Sequence, residues 1–273
     1  MAVNNRIVFI TGANTGLGYE AVKALYTSSN TYTILLGTRG LSKGEAAIAT
    51  LKQQNSSSQS TITPIQIDVE SDSSIEAAFS TISKDHGRVD TLINNAGAGF
   101  DRSIQTGELS IRDAWQKSWN VNVAGTQVLT TTFIPLLLKS SSPQLMFVTS
   151  GTSALSESGR MDYPPLARIN ASPAAGWPKQ EQMNPITCYR STKTGLNMLM
   201  REWTKILKED GVKVWAISPG FLATGLGGVG QEQLKKMGAR DPSEGGQFIK
   251  DVVEGKRDED EGKVIRATMI QPY

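Results

Sequence analysis

The chain has 273 residues, 38% hydrophobic and 20% charged, enough to bury one substantial core as a globular domain. Its 28 Lys and Arg against 26 Asp and Glu leave a net charge of +2, which gives no reason to expect nucleic acid or a membrane surface as a partner. One cysteine, Cys188, and one histidine, His86, exclude a disulfide framework, a cysteine-rich zinc site and a multi-histidine metal site, so no metal is expected.

In chain order, short apolar runs alternate with helical stretches. Strands are predicted at 6–11, 33–38, 63–67, 91–94, 145–149, 212–218 and 264–266. Helices are predicted at 17–28, 43–54, 74–84, 113–138, 187–209 and 245–253. The alternation predicts one α/β domain over 1–273, a Rossmann-type doubly wound parallel sheet of about seven strands with helices on both faces. Ser42 followed by Glu45 fits a capping box for the second helix, and His86 before Gly87 fits a C-terminal cap for the third. The longest apolar stretch, 133–138, is far below the roughly 20 residues that span a bilayer. With only Met1 to Asn5 ahead of the first strand, a signal peptide has no room, and the expected location is cytoplasmic.

Two stretches break the rhythm. Residues 151–186 hold Pro164, Pro165, Pro173, Pro178 and Pro185 and are expected to form an irregular insertion. Residues 222–238, with Gly225, Gly227, Gly228 and Gly230, are expected to form a mobile loop beside the substrate. The polar run 55–61 reads as an exposed connection and the mixed-charge run 256–263 as a solvated turn.

Gly12, Gly16 and Gly18 follow the first strand and open the first helix, with Asn14, Thr15 and Leu17 between them. Glycines there allow a tight turn and a close backbone approach to a pyrophosphate seated on the helix N-terminus. After the second strand an NAD-selective site usually carries an acid for the ribose 2′-hydroxyl. Here the residues are Gly37, Thr38 and Arg39, with no carboxylate before Glu45. Arg39 suits a 2′-phosphate, so NADPH/NADP is the expected cofactor.

Together these residues resemble the short-chain dehydrogenase/reductase family, over nearly the whole chain. The glycine motif is similar to that family's dinucleotide loop. Asp68 and Val69 are similar to its adenine contact, and Asn94-Asn95-Ala96-Gly97 to the signature that lines its cofactor cleft. Pro219-Gly220, then Leu222 and Thr224, resemble the segment that receives the nicotinamide carboxamide. The resemblance implies an active tetrad of Asn122, Ser150, Tyr189 and Lys193, the last two also touching the cofactor. Arg39 and the 39-residue interval from Ser150 to Tyr189, with Gly176-Trp177-Pro178 inside it, resemble monomeric NADPH-dependent carbonyl reductases. The subunit count stays open.

Reducing a carbonyl needs a hydride from the cofactor and a proton for the developing alkoxide. Tyr189 and Lys193 are four apart on a predicted helix, so both side chains lie on one face about 6 Å apart along the axis. Tyr189 is the expected general acid, and Lys193 favours the phenolate as it forms. Ser150 would hydrogen-bond the substrate oxygen, and the resemblance implies that Asn122 holds a water linking Lys193 to solvent. The expected activity is NADPH-dependent reduction of a ketone or aldehyde, the partner being a small carbonyl compound. A non-redox role, as a cyclase or a regulator that only senses the dinucleotide, is the alternative. Tyr19 and Lys23 have the same spacing but follow Gly18 at the phosphate end and are assigned to structure. Cys188, Trp115, Trp119 and Trp203 read as packing residues. Trp177 reads equally as a pocket wall or as an anchor for the insertion.

Overall fold

The computed structural model describes residues 5–179 and 186–273. Within them the strands are β1 (Arg6–Ile10), β2 (Tyr32–Thr38), β3 (Thr61–Gln66), β4 (Thr91–Asn94), β5 (Gln144–Val148), β6 (Lys213–Ile217) and β7 (Val264–Ile265). They pair in parallel in the order β3-β2-β1-β4-β5-β6-β7, one single-domain Rossmann-type sheet. The helices are α1 (Gly16–Tyr26), α2 (Leu41–Gln54), α3 (Asp72–His86), α4 (Asp101–Gln105) and α5 (Ile111–Trp119). After these come α6 (Gly125–Leu137), α7 (Pro164–Asn170), α8 (Thr187–Ile206), α9 (Gln231–Lys236) and α10 (Pro242–Val253).

Side chains alternate across each strand, so each face of the sheet needs its own apolar cover. Ile7 and Phe9 enter one core with Ile75 and Ile82 of α3, Leu129 and Phe133 of α6, and Leu196 and Met200 of α8. Val8 and Ile10 enter the other, with Val22 and Leu25 of α1, Leu51 of α2, and Phe248 and Ile249 of α10. Covered on both sides, β1 is apolar at every position from Ile7 to Ile10. Phe133 fixes one layer: its ring centroid lies 5.1 Å from that of Phe9, and Phe79 meets it edge-on at 5.7 Å. The strand order reverses between β1 and β4, which opens a crevice at the carboxyl ends of the strands.

Several local expectations need correction. The predicted helix 113–138 is two helices, α5 and α6, joined by a π turn at Asn120–Ala124. The extra residue in that turn suits two tertiary demands that no periodicity reveals. Gly125 has no room for a Cβ against the Val69 carbonyl, and Asn122 must reach the loop after β4. The Ser42–Glu45 capping box does not form. Thr38 donates to the Gly40 carbonyl (3.2 Å), which also accepts from Lys43 and Gly44, so α2 starts at Leu41 with Gly40 as its N-cap. The insertion 151–186 contains α7, and 222–238 contains a 3-10 turn at Leu226–Gly228 and α9. Pro185 lies outside the described residues. The run 256–263 is not simply solvated. Asp260 is buried and paired with Arg257 (2.7 Å), whose carbonyl accepts from Trp215 Nε1 (3.0 Å). The run 55–61 is exposed in part only, since buried Ser60 accepts from the Tyr32 N–H (3.0 Å). Gly87, at φ 74°, caps α3 after His86, its N–H reaching Ile82 and Ser83.

Candidate active site

The turn after β1 is built on glycines whose conformation or crowding disfavours a side chain. Gly12 and Gly16 have φ of 62° and 57°, left-handed values that favour glycine. A Cβ on Gly18 would stand 2.5 Å from Asn95 Nδ2 and 2.6 Å from the Gly12 carbonyl. The turn is stitched to the loop after β4 from both sides. Thr11 Oγ1 accepts from the N–H groups of Asn95 (3.1 Å) and Ala96 (3.0 Å). Asn95 Nδ2 donates to the carbonyls of Thr11 (2.8 Å) and Gly12 (3.1 Å), and buried Asn94 donates to Thr130 (3.1 Å). Thr15 gives α1 no side-chain cap and its first turn holds no acid, an arrangement that leaves first-turn amides for an anion. Asn14 lies half-buried in the same turn, and Leu17 packs against the second core.

Arg39 is exposed at the end of β2, its carbonyl accepting from Gln66 (3.3 Å). Asp68 takes the Glu70 N–H (3.1 Å), and Val69 runs beneath Gly125. From the other side the 219–224 segment closes in. Gly220, at φ 98°, fits under the Arg240 guanidinium, which donates to the Pro219 carbonyl (3.2 Å). Leu222 packs on Gly245 of α10, and Thr224 sits beside Gly16. The cofactor-binding positions expected from the sequence therefore lie on segments that follow the carboxyl ends of the parallel strands.

Tyr189 and Lys193 occupy the first two turns of α8. Lys193 is buried, donates from Nζ to the Val148 carbonyl at the end of β5 (2.9 Å), and lies 5.7 Å from the Tyr189 ring centroid. Burial pushes its ammonium down to about 8. Burial pushes the half-buried Tyr189 phenol up to about 12; the nearby Ser150 hydroxyl opposes that rise and the Asp101 carboxylate adds to it. Of the hydroxyls at the end of β5, Ser150 is half-buried and meets Thr152 Oγ1 (3.0 Å), whereas Thr149 and Ser153 are buried. Thr149 turns inward to Asn197 (2.6 Å) and Ser153 to the Ser150 carbonyl (2.6 Å). Asn122, fully buried, accepts from the Ala98 N–H (2.9 Å) and donates to the Ala98 carbonyl (2.7 Å) and Thr192 (2.9 Å). Its side chain braces the loop that holds Gly97. A Cβ on Gly97 would lie 3.1 Å from Asn122 Oδ1 and 3.2 Å from Lys193 Nζ, so all four tetrad positions gather at this end of the crevice.

Residues with no local signal in the sequence support that cluster. Gln271, fully buried near the end of the chain, donates from Nε2 to the Ser150 carbonyl and to Ser153 Oγ (3.1 Å each). Arg266 Nε donates to Gln271 Oε1 (3.0 Å), and the Arg266 guanidinium is ion-paired with buried Glu157. Asp101 binds the start of α8. The Asp101 contact, the Arg266–Glu157 pair and the Gln271–Ser150 bond each span more than 80 residues of sequence. By contrast Tyr19 packs against the second core and Lys23 pairs with Glu20 (3.9 Å), away from the tetrad. Trp203 is buried with Nε1 on Gln127 (2.9 Å), Trp119 lies against Gly195, and Cys188 is buried. Trp177 is 77% exposed. Among the described residues no helix is long and apolar enough to cross a membrane.

A sequence profile described as short chain dehydrogenase matches residues 6–164. The chain is 45% identical to the short-chain dehydrogenase/reductase eupG of a Phoma species, covering 98% of this chain and 97% of that one. It is 40% identical to the short-chain dehydrogenase/reductase tropE of Talaromyces stipitatus, covering 99% and 98%. In backbone it is similar to an NADPH-bound carbonyl reductase from chicken fatty liver, with a TM-score of 0.76, 20% identity and coverage of 99% and 100%. It is also similar to a 3-ketoacyl-(acyl-carrier-protein) reductase from Brucella melitensis complexed with NADH, with a TM-score of 0.72, 18% identity and 97% coverage of each chain.

Proposed function

The chain belongs to the short-chain dehydrogenase/reductase family, and from that premise we propose that it reduces a ketone or aldehyde to an alcohol with NADPH, Tyr189 giving the proton. The observation that carries this reading is the buried Lys193 ammonium 5.7 Å from the Tyr189 ring, with its Nζ on the Val148 carbonyl two residues before Ser150.

The crevice fits a dinucleotide. Side chains at Gly12 and Gly18 would collide with Ala96 and Asn95 of the loop after β4 and so spoil the tight turn a pyrophosphate needs, and the acid-free start of α1 offers its amides. The phosphates would be held by the turn 12–18, the adenine beside Asp68 and Val69, and the nicotinamide end by Asn95 to Gly97 and the 219–224 segment. Bound there, the reduced cofactor supplies a hydride to the carbonyl carbon. The chain's own groups handle the oxygen. Ser150 donates a hydrogen bond to it, and Tyr189 passes its phenolic proton to it as the C=O bond becomes C–O–H. A phenol held near 12 is a weak acid, so the charge beside it matters: the Lys193 ammonium favours the phenolate as it forms. Asn122 keeps the loop of Gly97 against α8 through Ala98 and Thr192.

The cofactor preference rests on Arg39. The solved relatives do not decide it, since one carries NADPH and another NADH at comparable similarity. A guanidinium at the end of β2 with no acid beside it favours a 2′-phosphate. The test is NADPH absorbance against a panel of aromatic and aliphatic aldehydes and ketones. Oxidation matched mole for mole by alcohol supports reduction. Tight NADPH binding with no consumption across the panel overturns it in favour of a non-redox or sensing role.

A further inference from the structure

The N-cap side chain of α8 makes no capping hydrogen bond. That residue is Ile186, which offers no side-chain acceptor, although the first turn of any helix leaves N–H groups that need one. The acceptor arrives from 87 residues earlier. Asp101 Oδ1 accepts from the Cys188 N–H at 2.7 Å, and Asp101 Oδ2 accepts from the Tyr189 N–H at 3.0 Å. Two consecutive amides thus share both oxygens of one carboxylate at the positive end of the helix, where a negative charge is best placed. Burial pushes this carboxyl up, and the two amide bonds oppose the rise.

The source of that cap is not remote from the chemistry. Asp101 opens α4, four residues beyond Gly97, on the loop whose Ala98 is gripped by Asn122. A Cβ on Gly99 would lie 3.5 Å from Tyr189 Cδ2, so the same loop also packs on the phenol ring. One short segment therefore lines the crevice through Gly97, touches the Tyr189 ring through Gly99 and fixes the Tyr189 backbone through Asp101.

We propose that Asp101 is a positioning residue for Tyr189, its carboxylate pinning the first turn of α8 to the cofactor-side loop and so setting where the phenol stands. This rests on the reading of Tyr189 as the proton donor. A displacement of about 1 Å at a reacting group can cost on the order of 100-fold in rate, so the expected effect is kinetic and falls on the chemical step.

The experiment compares the full chain with Asp101→Ala and Asp101→Asn. For Asp101→Ala, kcat for NADPH-linked carbonyl reduction is expected to fall about 10- to 100-fold while the Kd for NADPH, titrated directly, stays within about threefold. Asparagine keeps one carbonyl oxygen for one of the two amides, so Asp101→Asn recovers part of the loss. Independently of activity, amide hydrogen exchange at Cys188 and Tyr189 is expected to accelerate at least about tenfold in Asp101→Ala, with Met146 and Phe147 in β5 unchanged. Should the alanine variant fail to fold, the asparagine variant carries both measurements. Wild-type kcat together with unchanged exchange at 188 and 189 overturns the proposal, and so does a loss of rate explained entirely by a weaker NADPH Kd. A wild-type protein that consumes no NADPH overturns the proton-donor reading instead. The exchange rates then still decide whether Asp101 holds the start of α8.

Discussion

Replacing Lys193 by methionine is expected to stabilise the protein near neutral pH while ending its catalysis. The ammonium is buried and titrates at about 8, against an ordinary value of 10.5, so the folded state gives up its proton more readily than the unfolded chain. Between those two values the unfolded chain binds more protons, hence stability rises with pH across the window 8 to 10.5 and is diminished below it. At pH 7 the penalty is about 3 kcal/mol, because each pH unit separating the folded and unfolded titrations is worth about 1.4 kcal/mol. Methionine removes that penalty and fills similar volume, but it abandons the hydrogen bond to the Val148 carbonyl, a loss of about 1–2 kcal/mol. The net expectation is a gain of roughly 1–2 kcal/mol at pH 7, or about 2–6 °C in Tm for a chain of this size. At pH 10 the lysine is mostly neutral, the residual penalty is about 1 kcal/mol, and the advantage of methionine vanishes or reverses. Thermal unfolding of both proteins without cofactor at pH 7 and pH 10 reads this directly. Equal Tm differences at the two pH values, or a less stable methionine variant at pH 7, would refute the reasoning.

Arg39→Ala is expected to raise the Kd for NADPH about tenfold and leave NADH nearly unchanged, as loss of a charge-assisted contact to one phosphate requires; fluorescence titration with both cofactors checks it. Gly18→Ala places a methyl 2.5 Å from Asn95 Nδ2 and 2.6 Å from the Gly12 carbonyl. It is expected to cost about 1–3 kcal/mol in urea unfolding and to weaken both dinucleotides together. Gln271→Ala removes the two bonds that hold the Ser150 carbonyl and Ser153 and leaves Arg266 short of an acceptor. A stability loss of about 1–3 kcal/mol is expected, with kcat/KM down about tenfold and NADPH affinity unchanged.

The sheet was legible because apolar strands covered on both faces and glycines at the β1–α1 turn leave marks within a few residues of sequence. All seven strands begin within two residues of their expected starts, the third opening at Thr61, inside the polar run. Asn122, Tyr189 and Lys193 gather around the loop after β4, which also abuts the glycine turn, although Asn122 and Tyr189 stand far apart along the chain. What could not be read depends on distant partners. The π turn at Asn120–Ala124 serves Val69 and Ala98, the cap of α8 comes from Asp101, and the Ser150 turn is held by Gln271. A carboxylate at 101 or an amide at 271 looks like any surface polar residue until the fold brings its acceptor or donor alongside. The start of α2 shows the same limit at short range, where the Gly40 carbonyl accepts from Lys43 and Gly44 and the helix already includes Ser42.

The most direct test replaces the phenol alone. Tyr189→Phe keeps the ring and its packing on Gly99 and removes only the hydroxyl. The variant is expected to bind NADPH within about threefold of the parent while carbonyl reduction falls by at least about 10²–10⁴. A phenylalanine variant that reduces the same carbonyl at the parental rate would contradict the assignment of Tyr189 as the proton donor.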